Sequence, residues 1–310
     1  MAKIHTFSGN PLDRADALRR AEAAVTNAAD DPSSRYLLLW NLNVLVTDHE
    51  SGLVLGWLEQ LEVARLGIDL LPVLLGLDDG RAHFALDASG LHDPVHELNL
   101  GDHWHFHDAR QAAMVLPAPE SGILAQARSQ LDWHRRHRFC SVCGERTRQR
   151  KGGHVRRCDD CGAEHFPRTD PVAIMLITRG DECLLGQSAG RLARTGMYSA
   201  LAGFIDQGES IEEAVRREVM EEAGIRVGEV RYHSSQPWPF PSSLMIGCHG
   251  VGESRDIRMD TEEMRDVRWF GLDEVRAAMQ GESDSLRLPG PIAIAHHLIK
   301  AWVDGEVSWD

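Results

Sequence analysis

The sequence lacks long apolar runs. Its longest apolar stretches, such as residues 70–77, are far too short to cross a bilayer. The start, MAKIHTFSGN, has no apolar signal core, so we expect a cytoplasmic chain that does not enter a membrane. Positive charge is also scarce. The net charge of −14 argues against broad, sequence-independent binding to nucleic acid, because such binding needs a surface that neutralises phosphates.

Internal repeats and low-complexity tracts are absent from the sequence as well. The 310 residues, 43% of them apolar, are enough for more than one buried core. We predict a mixed α and β domain over residues 1–118, ending at a Pro-Ala-Pro break. A helix capped by Ser121 and a cysteine-rich segment should follow over 119–168. Over 169–310, strand and helix patterns interleave, which predicts an α/β/α sandwich with a mixed sheet.

A cluster of acidic residues lies in the third region. A helix is predicted from Ser210 to Gly224, where Ser210 and Glu213 have the form of a capping box. Three glutamates project from one side of it: Glu218, Glu221 and Glu222. Two carboxylates about 4 Å apart repel by roughly 4 kcal/mol at an effective dielectric of about 20, so a divalent cation would stabilise the cluster. Ion pairing explains it poorly, since the only base four residues further on is Arg226, beyond Gly224.

Four of the six cysteines form two C-x-x-C pairs with fourteen residues between them. They are Cys140, Cys143, Cys158 and Cys161. Such pairs can surround one Zn²⁺ tetrahedrally and leave no open position, so we predict a structural zinc site. Disulfides are the alternative, but they are rare inside cells. Cys183 and Cys248 lie in apolar, strand-like runs and are expected in the core.

Two other polar patterns each admit two interpretations. His103, His105 and His107 alternate along a predicted strand, and we favour a solvated strand face over a metal site. Residues 135–157 hold nine Arg and Lys against the single acid Glu145. This segment is either a solvated surface or a contact for an anion.

Residues 235–243, SQPWPFPSS, form a Pro-rich segment that is stiff and cannot join the interior of a sheet. It holds the rings of Trp238 and Phe240 at nearly fixed positions, which suits stacking on a base. The alternative is an ordinary loop whose two rings fill a core.

The acidic helix and the loop before it resemble the Nudix box at every defined position. Those positions are Gly203, Glu209, Arg217, Glu218, Val219, Glu221, Glu222, Gly224 and Ile225. The resemblance implies that the three glutamates hold Mg²⁺ or Mn²⁺ against a pyrophosphate that water attacks. It also implies that Glu222 or Glu218 is the base, and that Glu209 and Arg217 brace the loop and the helix.

The Pro-rich segment resembles SQPWPFPxS, which separates NADH pyrophosphatases from other Nudix enzymes. By this resemblance substrate contacts fall on Gln236, Pro237, Trp238, Pro239, Phe240, Pro241, Ser242 and Ser243, and on Phe166, Ala202, Phe204 and Ala295. A fourth metal carboxylate falls on Glu263, with Glu262 as the alternative. Gly153 departs from the family pattern, since some relatives have an acidic substrate contact there.

The resemblance implies a homodimeric enzyme that hydrolyses NAD(H) to nicotinamide mononucleotide and AMP, and that also removes NAD caps from RNA 5′ ends. Two alternatives stay open. A Nudix hydrolase of ADP-ribose or dinucleoside polyphosphates would share the box without needing the Pro-rich segment. A non-catalytic zinc-ribbon protein that senses a ligand and binds nucleic acid would predict a degraded box and a basic chain.

Overall fold

The chain divides into two compact units. The computed structural model describes residues 5–50, 52–66, 71–190 and 196–309. One unit comprises Met1–His5, Asp170–Pro237 and Ser243–Asp310, and the other comprises Thr6–Thr169 and Trp238–Ser242. We call them the 170–310 unit and the 6–169 unit. The three-part division at residues 118 and 168 remains a proposal.

The 6–169 unit opens with short helices and a sheet. Its first elements are α1 (Asp16–Arg19), α2 (Glu22–Asp30), β1 (Arg35–Trp40), β2 (Asn43–His49), β3 (Gly52–Leu55), β4 (Trp57–Glu59), α3 (Gln60–Ala64), β5 (Val73–Asp78), β6 (Arg81–Asp87), α4 (Pro94–Glu97), β7 (Trp104–His107), α5 (Ala109–Ala113) and α6 (Ala118–Arg136). Within the described residues the strands form one seven-stranded sheet with the order β3-β2-β1-β6-β5, with β4 beside β1 and β7 beside β2. Strands β1 and β6 are parallel and the other pairs antiparallel, which confirms the predicted mixed α and β domain.

Helix α6 starts before the predicted cap. Its N-cap is Pro117, so Ser121 lies inside the helix, where its hydroxyl donates to the carbonyl of Ala118. The prediction that Ser121 caps the helix was wrong, because proline is well tolerated in a first helical turn. None of the described helices is long and apolar enough to cross a membrane.

A small antiparallel sheet follows α6 in the same unit. It contains β8 (Thr147–Arg150), β9 (Val155–Cys158) and β10 (Glu164–His165), with a 3₁₀ turn at Lys151–Gly153. The order among the described residues is β10-β9-β8. One cysteine pair precedes β8, and the other begins with Cys158 at the end of β9, so the sheet brings the two pairs together, as predicted for a zinc ribbon.

The 170–310 unit is an α/β/α sandwich, as predicted. Its elements are β11 (Asp170–Arg179), β12 (Glu182–Ser188), β13 (Leu201–Phe204), α7 (Ile211–Ala223), β14 (Val227–Trp238), β15 (Ser243–Gly252), β16 (Met264–Gly271), α8 (Leu272–Met279) and α9 (Ile294–Val303). The described strands form a six-stranded sheet with the order β14-β15-β11-β12-β16, and β13 pairs with β11. It is mixed, because β11 is parallel to β15 and antiparallel to β12.

The two faces of this sheet are covered by different helices. Alternate side chains of β11, such as Met175 and Leu176, point to opposite faces. Met175 belongs to a core cluster with Val215 and Val219 of α7. Leu176 belongs to a second cluster with Leu298 of α9. Helix α7 is thereby fixed against the sheet by its apolar stripe, and its acidic side is left for other contacts.

Candidate functional site

Helix α7 begins and ends where the sequence predicts. The amide of Glu213 donates to the hydroxyl of Ser210 (3.3 Å), and the amide of Ser210 donates to the carboxylate of Glu213 (2.7 Å). The chain leaves the helix at Gly224 in the left-handed conformation, with φ 69°. These two ends fix which turn carries each glutamate.

Arg217 joins the loop before α7 to the glutamates on it. Its guanidinium donates twice to the carboxylate of Glu209, at 2.6 and 2.8 Å, and once to the carbonyl of Phe204 at 2.9 Å. These bonds hold the pKa of Glu209 down at about 2. This is the geometry expected of a brace, although the assigned roles stay predictions.

The same guanidinium also pairs with part of the acidic cluster. Its Nη1 donates to Glu218 at 2.7 Å and to Glu221 at 3.0 Å. The expectation that ion pairing explains the cluster poorly was therefore incomplete. It considered bases on the C-terminal side, such as Arg226, whereas the partner precedes the cluster. Arg217 neutralises at most one of the charges, and it does not reach Glu222.

Glu222 is the glutamate of this cluster in the least favourable electrostatic surroundings. The side chain is buried, and its Oε2 has no hydrogen-bond partner. Burial, followed by the charges of Glu218, Glu263 and Glu221, raises the pKa of Glu222 to about 8. Burial likewise raises the pKa of Glu218. A buried oxygen without a partner, among like charges, is what a hard cation would stabilise, so these residues fit a divalent ion.

Glu263 is the further carboxylate that belongs to this cluster. It is exposed and immediately precedes β16, and its charge raises the pKa of both Glu218 and Glu222. The neighbouring Glu262 is not among the causes of either shift, which favours Glu263 as the fourth ligand. Among the described residues only the four ribbon cysteines form a set of three or more whose ligand atoms all lie within 4.8 Å, so the carboxylates are spread more widely.

Gly203 is required by the position of Glu218. A Cβ atom at residue 203 would lie 1.9 Å from the carboxyl carbon of Glu218 and about as close to both its oxygens. Any other side chain would therefore displace this carboxylate. Glycine is needed at this position because β13 and α7 approach each other closely, and not because the backbone has a positive φ.

The four ribbon cysteines form a closed metal site. Cys140 and Cys161 have sulfur atoms 3.6 Å apart, and Cys143 and Cys158 have theirs 3.4 Å apart. These separations are too long for disulfides and suit ligands around one ion. Backbone amides, above all that of Cys143, lower the pKa of Cys140 to about 6, whereas hydrogen bonds to the other thiols raise the pKa of Cys143 to about 12. The donor set fits structural Zn²⁺.

Cys183 and Cys248 are buried in the 170–310 unit, as predicted. Burial raises the pKa of the Cys248 thiol to about 12, so it is inert at neutral pH.

The Pro-rich segment is shared between the two units. Ser235 to Pro237 belong to β14, an edge strand, which is compatible with proline. The side chain of Gln236 is fully buried, and it donates to the carbonyl of Ile292 and accepts from the amide of Ile294 at the start of α9, both at 2.8 Å. Ala295, the residue after Ile294, is also buried.

Trp238 to Ser242 belong to the 6–169 unit, and sequence reasoning missed what surrounds them there. The guanidinium of Arg110 lies over the ring of Trp238, 4.8 Å from its centroid, and that of Arg128 lies over the ring of Phe240 at 4.4 Å. Phe7 contacts both rings edge-on, with centroids 5.7 Å apart in each case. No local pattern links residues so distant in sequence.

The other predicted substrate contacts differ in exposure. Phe166 and Phe204 are 62% and 58% exposed, as side chains that receive a ligand can be. Ala202 is partly buried on β13, as are Ser242 and Ser243 beside the Pro-rich turn, whereas Pro241 is exposed and Pro239 buried. The assignment of all these residues to substrate remains a prediction.

The three histidines at 103–107 form a partly solvated surface. His105 and His107 lie on one side of β7, with ring centroids 5.9 Å apart. No carboxylate or cysteine joins them in a metal-binding geometry within the described part of the chain.

In a comparison with known proteins, three family models together match most of the chain. A NUDIX domain model matches residues 167–288, an NADH pyrophosphatase-like rudimentary NUDIX domain matches 33–133, and an NADH pyrophosphatase zinc ribbon domain matches 135–166. The first of these ranges contains the braced glutamates, and the third contains the four cysteines.

Curated relatives extend the match over most of the chain. Human mitochondrial NAD(P)H pyrophosphatase NUDT13 is 39% identical over 267 residues, which cover 82% of this chain and 72% of the relative. Human NAD-capped RNA hydrolase NUDT12 is 44% identical over 211 residues, 64% of this chain and 45% of the relative, so the chain spans about half of that protein. NAD-capped RNA hydrolase NudC of Pseudomonas syringae is 43% identical over 181 residues, 58% of this chain and 61% of the relative. The chain belongs to the Nudix family, in the group that carries the NADH pyrophosphatase-like domain and its zinc ribbon.

Proposed function

We propose that this protein hydrolyses the pyrophosphate bond of NAD(H) and releases nicotinamide mononucleotide and AMP. The observation that carries the proposal is the acidic cluster on α7, in which Glu222 keeps a buried oxygen without a partner. The names of NUDT13, NUDT12 and NudC support the substrate class. The intact SQPWPFPSS segment favours a dinucleotide with two bases over ADP-ribose.

Four carboxylates would hold Mg²⁺ or Mn²⁺, namely Glu218, Glu221, Glu222 and Glu263. A bound divalent ion supplies charge neutralisation at the phosphates and activates water. Between the two candidates for the base, we prefer Glu222 to Glu218. The carboxylate of Glu218 is engaged by Arg217, whereas that of Glu222 is more strongly biased towards taking up a proton.

Product identification tests this function directly. Purified protein is incubated with NADH, NAD and ADP-ribose, with Mg²⁺ or Mn²⁺, and the products are separated by chromatography. We expect nicotinamide mononucleotide and AMP from the dinucleotides, and slower turnover of ADP-ribose. Equal turnover of ADP-ribose would favour the broader Nudix hydrolase. Free nicotinamide would contradict the proposed reaction, because it comes from cleavage of the glycosidic bond.

We further propose NAD-capped RNA as a substrate. Several cations of the basic segment 135–157 already have partners, since Arg136 pairs with Asp132 and Arg148 with Asp159. Arg138 and Arg157 remain exposed, and they are candidates for the trailing phosphates. If they bind RNA, hydrolysis of capped RNA should weaken with added salt far more than hydrolysis of NADH. Equal salt dependence would leave this segment a solvated surface.

A homodimer and a cytoplasmic location complete the proposal, both by resemblance to the family. Sedimentation at several protein concentrations tests the first. A single species at the mass of one 34.5 kDa chain would contradict it.

A further inference from the structure

The aromatic pair of the Pro-rich segment is held by residues far away in the sequence. The rings of Trp238 and Phe240 meet edge to face, with centroids 5.5 Å apart. The side chain of Phe7, which is 1% exposed, packs its ring against both of them. These three rings form one aromatic cluster inside the 6–169 unit.

This stretch of chain connects β14 to β15, so its two ends are fixed by the sheet. Proline has no backbone N–H, so Pro237, Pro239 and Pro241 cannot donate to a neighbouring strand. Between these ends, carbonyls and side chains of the turn make contacts with α6. The carbonyl of Pro239 accepts from the guanidinium of Arg128, and that of Pro241 accepts from the hydroxyl of Ser129 at 3.3 Å.

Arg128 thus makes two contacts with the turn. Besides its bond to Pro239, its guanidinium stacks on the ring of Phe240. The side chain of Arg128 is partly buried, and this burial lowers its pKa. Both contacts come from the middle of α6, a rigid helix.

Phe7 is fixed to the same helix. Its backbone N–H donates to the hydroxyl of Ser121 at 3.0 Å, and its φ is 71°, a conformation that only surrounding contacts can hold in a residue with a side chain. Asn10 donates to the side-chain oxygen of Gln126 at 2.9 Å. A Cβ at Gly122 would lie 2.6 Å from the backbone nitrogen of Asn10, so the segment and the helix are in close backbone contact.

We propose that Phe7 and Arg128 are positioning residues that set the orientation of Trp238 and Phe240, and through them the selectivity for a dinucleotide with a second base. The proposal rests on the proposed function, in which these two rings recognise a base. Phe7 lies outside the ranges that the three family models match. Neither residue needs to touch the substrate or the carboxylates of α7.

Kinetics of a matched pair of variants tests the selectivity. Phe7→Leu and Phe84→Leu make the same substitution at two buried rings of the same unit, and Phe84 stacks on Tyr36. Loss of the aromatic contacts should raise the KM for NADH about three- to tenfold in Phe7→Leu. Its kcat, and both constants for ADP-ribose, should stay unchanged. Phe84→Leu should lower stability without changing the ratio of kcat/KM for NADH to kcat/KM for ADP-ribose. The same ratio in both variants would overturn the proposal.

A spectroscopic experiment decides the positioning step without any activity. The chain has eight tryptophans, so 5-fluorotryptophan labelling gives a short ¹⁹F spectrum in which Trp238→Phe identifies one resonance. Phe7→Leu and Arg128→Met should each shift or broaden that resonance, and Phe84→Leu should leave it in place. An unshifted Trp238 resonance in folded Phe7→Leu protein would refute the proposal. If instead the wild type fails to hydrolyse NADH while the resonance responds, the proposed function fails and the positioning role stands.

Discussion

At the scale of single residues, Glu222 is the glutamate of the acidic cluster whose burial and like-charged neighbours are most unfavourable. Its buried oxygen lacks a partner, and its pKa is raised by burial and by the charges around it. A residue in this state destabilises the metal-free protein, and the proposed divalent ion would relieve this. Stability and activity are therefore expected to respond to its substitution in opposite directions.

Glu222→Gln tests this expectation. Hydrolysis should fall by roughly two to four orders of magnitude, because a proposed metal ligand and candidate base is lost. Unfolding by denaturant of protein kept without added Mg²⁺ or Mn²⁺, with the ribbon zinc in place, should become harder by about 1 kcal/mol, because Gln neither carries a buried, repelled charge nor has to take up a proton there. Glu212→Gln, an exposed glutamate on the same helix, is the control and should change neither. Near wild-type turnover at saturating Mg²⁺ would refute the assignment.

Substitution of Gly203 tests the geometry of the same site through the position of Glu218. In Gly203→Ala the new methyl group meets the end of the flexible Glu218 side chain, so the carboxylate should move while the fold is kept. Such a displacement of the Glu218 carboxylate should lower kcat about tenfold to a hundredfold. The melting temperature should change little. Gly290→Ala, where an added Cβ meets nothing within 4 Å, is the control. Unchanged kcat in Gly203→Ala would mean that the position of Glu218 is not critical.

At the scale of elements, the zinc ribbon has little apolar interior of its own. Its three strands are short, and the ligand atoms of its four cysteines all lie within 4.8 Å of one another. Binding free energy of a structural zinc is folding free energy, on the order of 10 kcal/mol.

Cys158→Ser should therefore lose zinc and lower the thermal stability. Metal content by mass spectrometry and a melting curve measure the two effects. Cys183→Ser, at an equally buried cysteine of the other unit, should keep its zinc. Wild-type protein purified without tightly bound zinc would contradict the assignment.

The attachment of the ribbon to α6 depends on a neutral histidine. His134 bonds the carbonyl of Gly153 through Nε2 at 2.8 Å and faces Arg156 through Nδ1 at 3.0 Å, so one nitrogen donates and the other accepts. Burial is the main cause that lowers the pKa of His134 to about 4 from its usual 6.5. A lowered pKa contributes stability that is present above about pH 6.5 and is lost as the pH falls towards 4.

Denaturant unfolding over this pH range measures the effect. The wild type should lose stability more steeply than His134→Gln, which has no group to titrate there. Zinc content is followed at each pH, because protonation of the thiolates also releases metal. Parallel curves for the two proteins would contradict the role of His134.

At the scale of the whole molecule, local patterns were predicted well and distant contacts were not. The ends of α7 follow from Ser210 and Gly224, which act within one turn, and the cysteine spacing alone gives the ribbon. The packing of Arg128 against Pro239 joins residues 111 positions apart, and no periodicity reports such a contact. Ser121 shows the same limit, since its hydroxyl accepts from the distant amide of Phe7 and does not cap the helix.

Trp238→Ala tests the proposed recognition of a base by the whole protein. NADH hydrolysis should fall about tenfold to a hundredfold, the worth of stacking on one base, and ADP-ribose hydrolysis should fall far less. Trp57→Ala, at a partly buried ring in the same unit, controls for general loss of stability. Equal losses on both substrates would leave a general Nudix hydrolase with a proline-rich loop.

The chain leaves the 170–310 unit at Pro237 and returns to it at Ser243, so five residues of one unit are inserted within the sequence of the other. A fragment trimmed to residues 170–310 would keep every box glutamate and yet carry Trp238 and Phe240 without Phe7, Arg110 and Arg128. Two large rings would then be exposed to water, and the fragment is expected to bind hydrophobic dyes and to self-associate. The 170–310 unit is therefore not expected to behave as an independent module, and a fusion that keeps these rings covered must also include Phe7, Arg110 and Arg128.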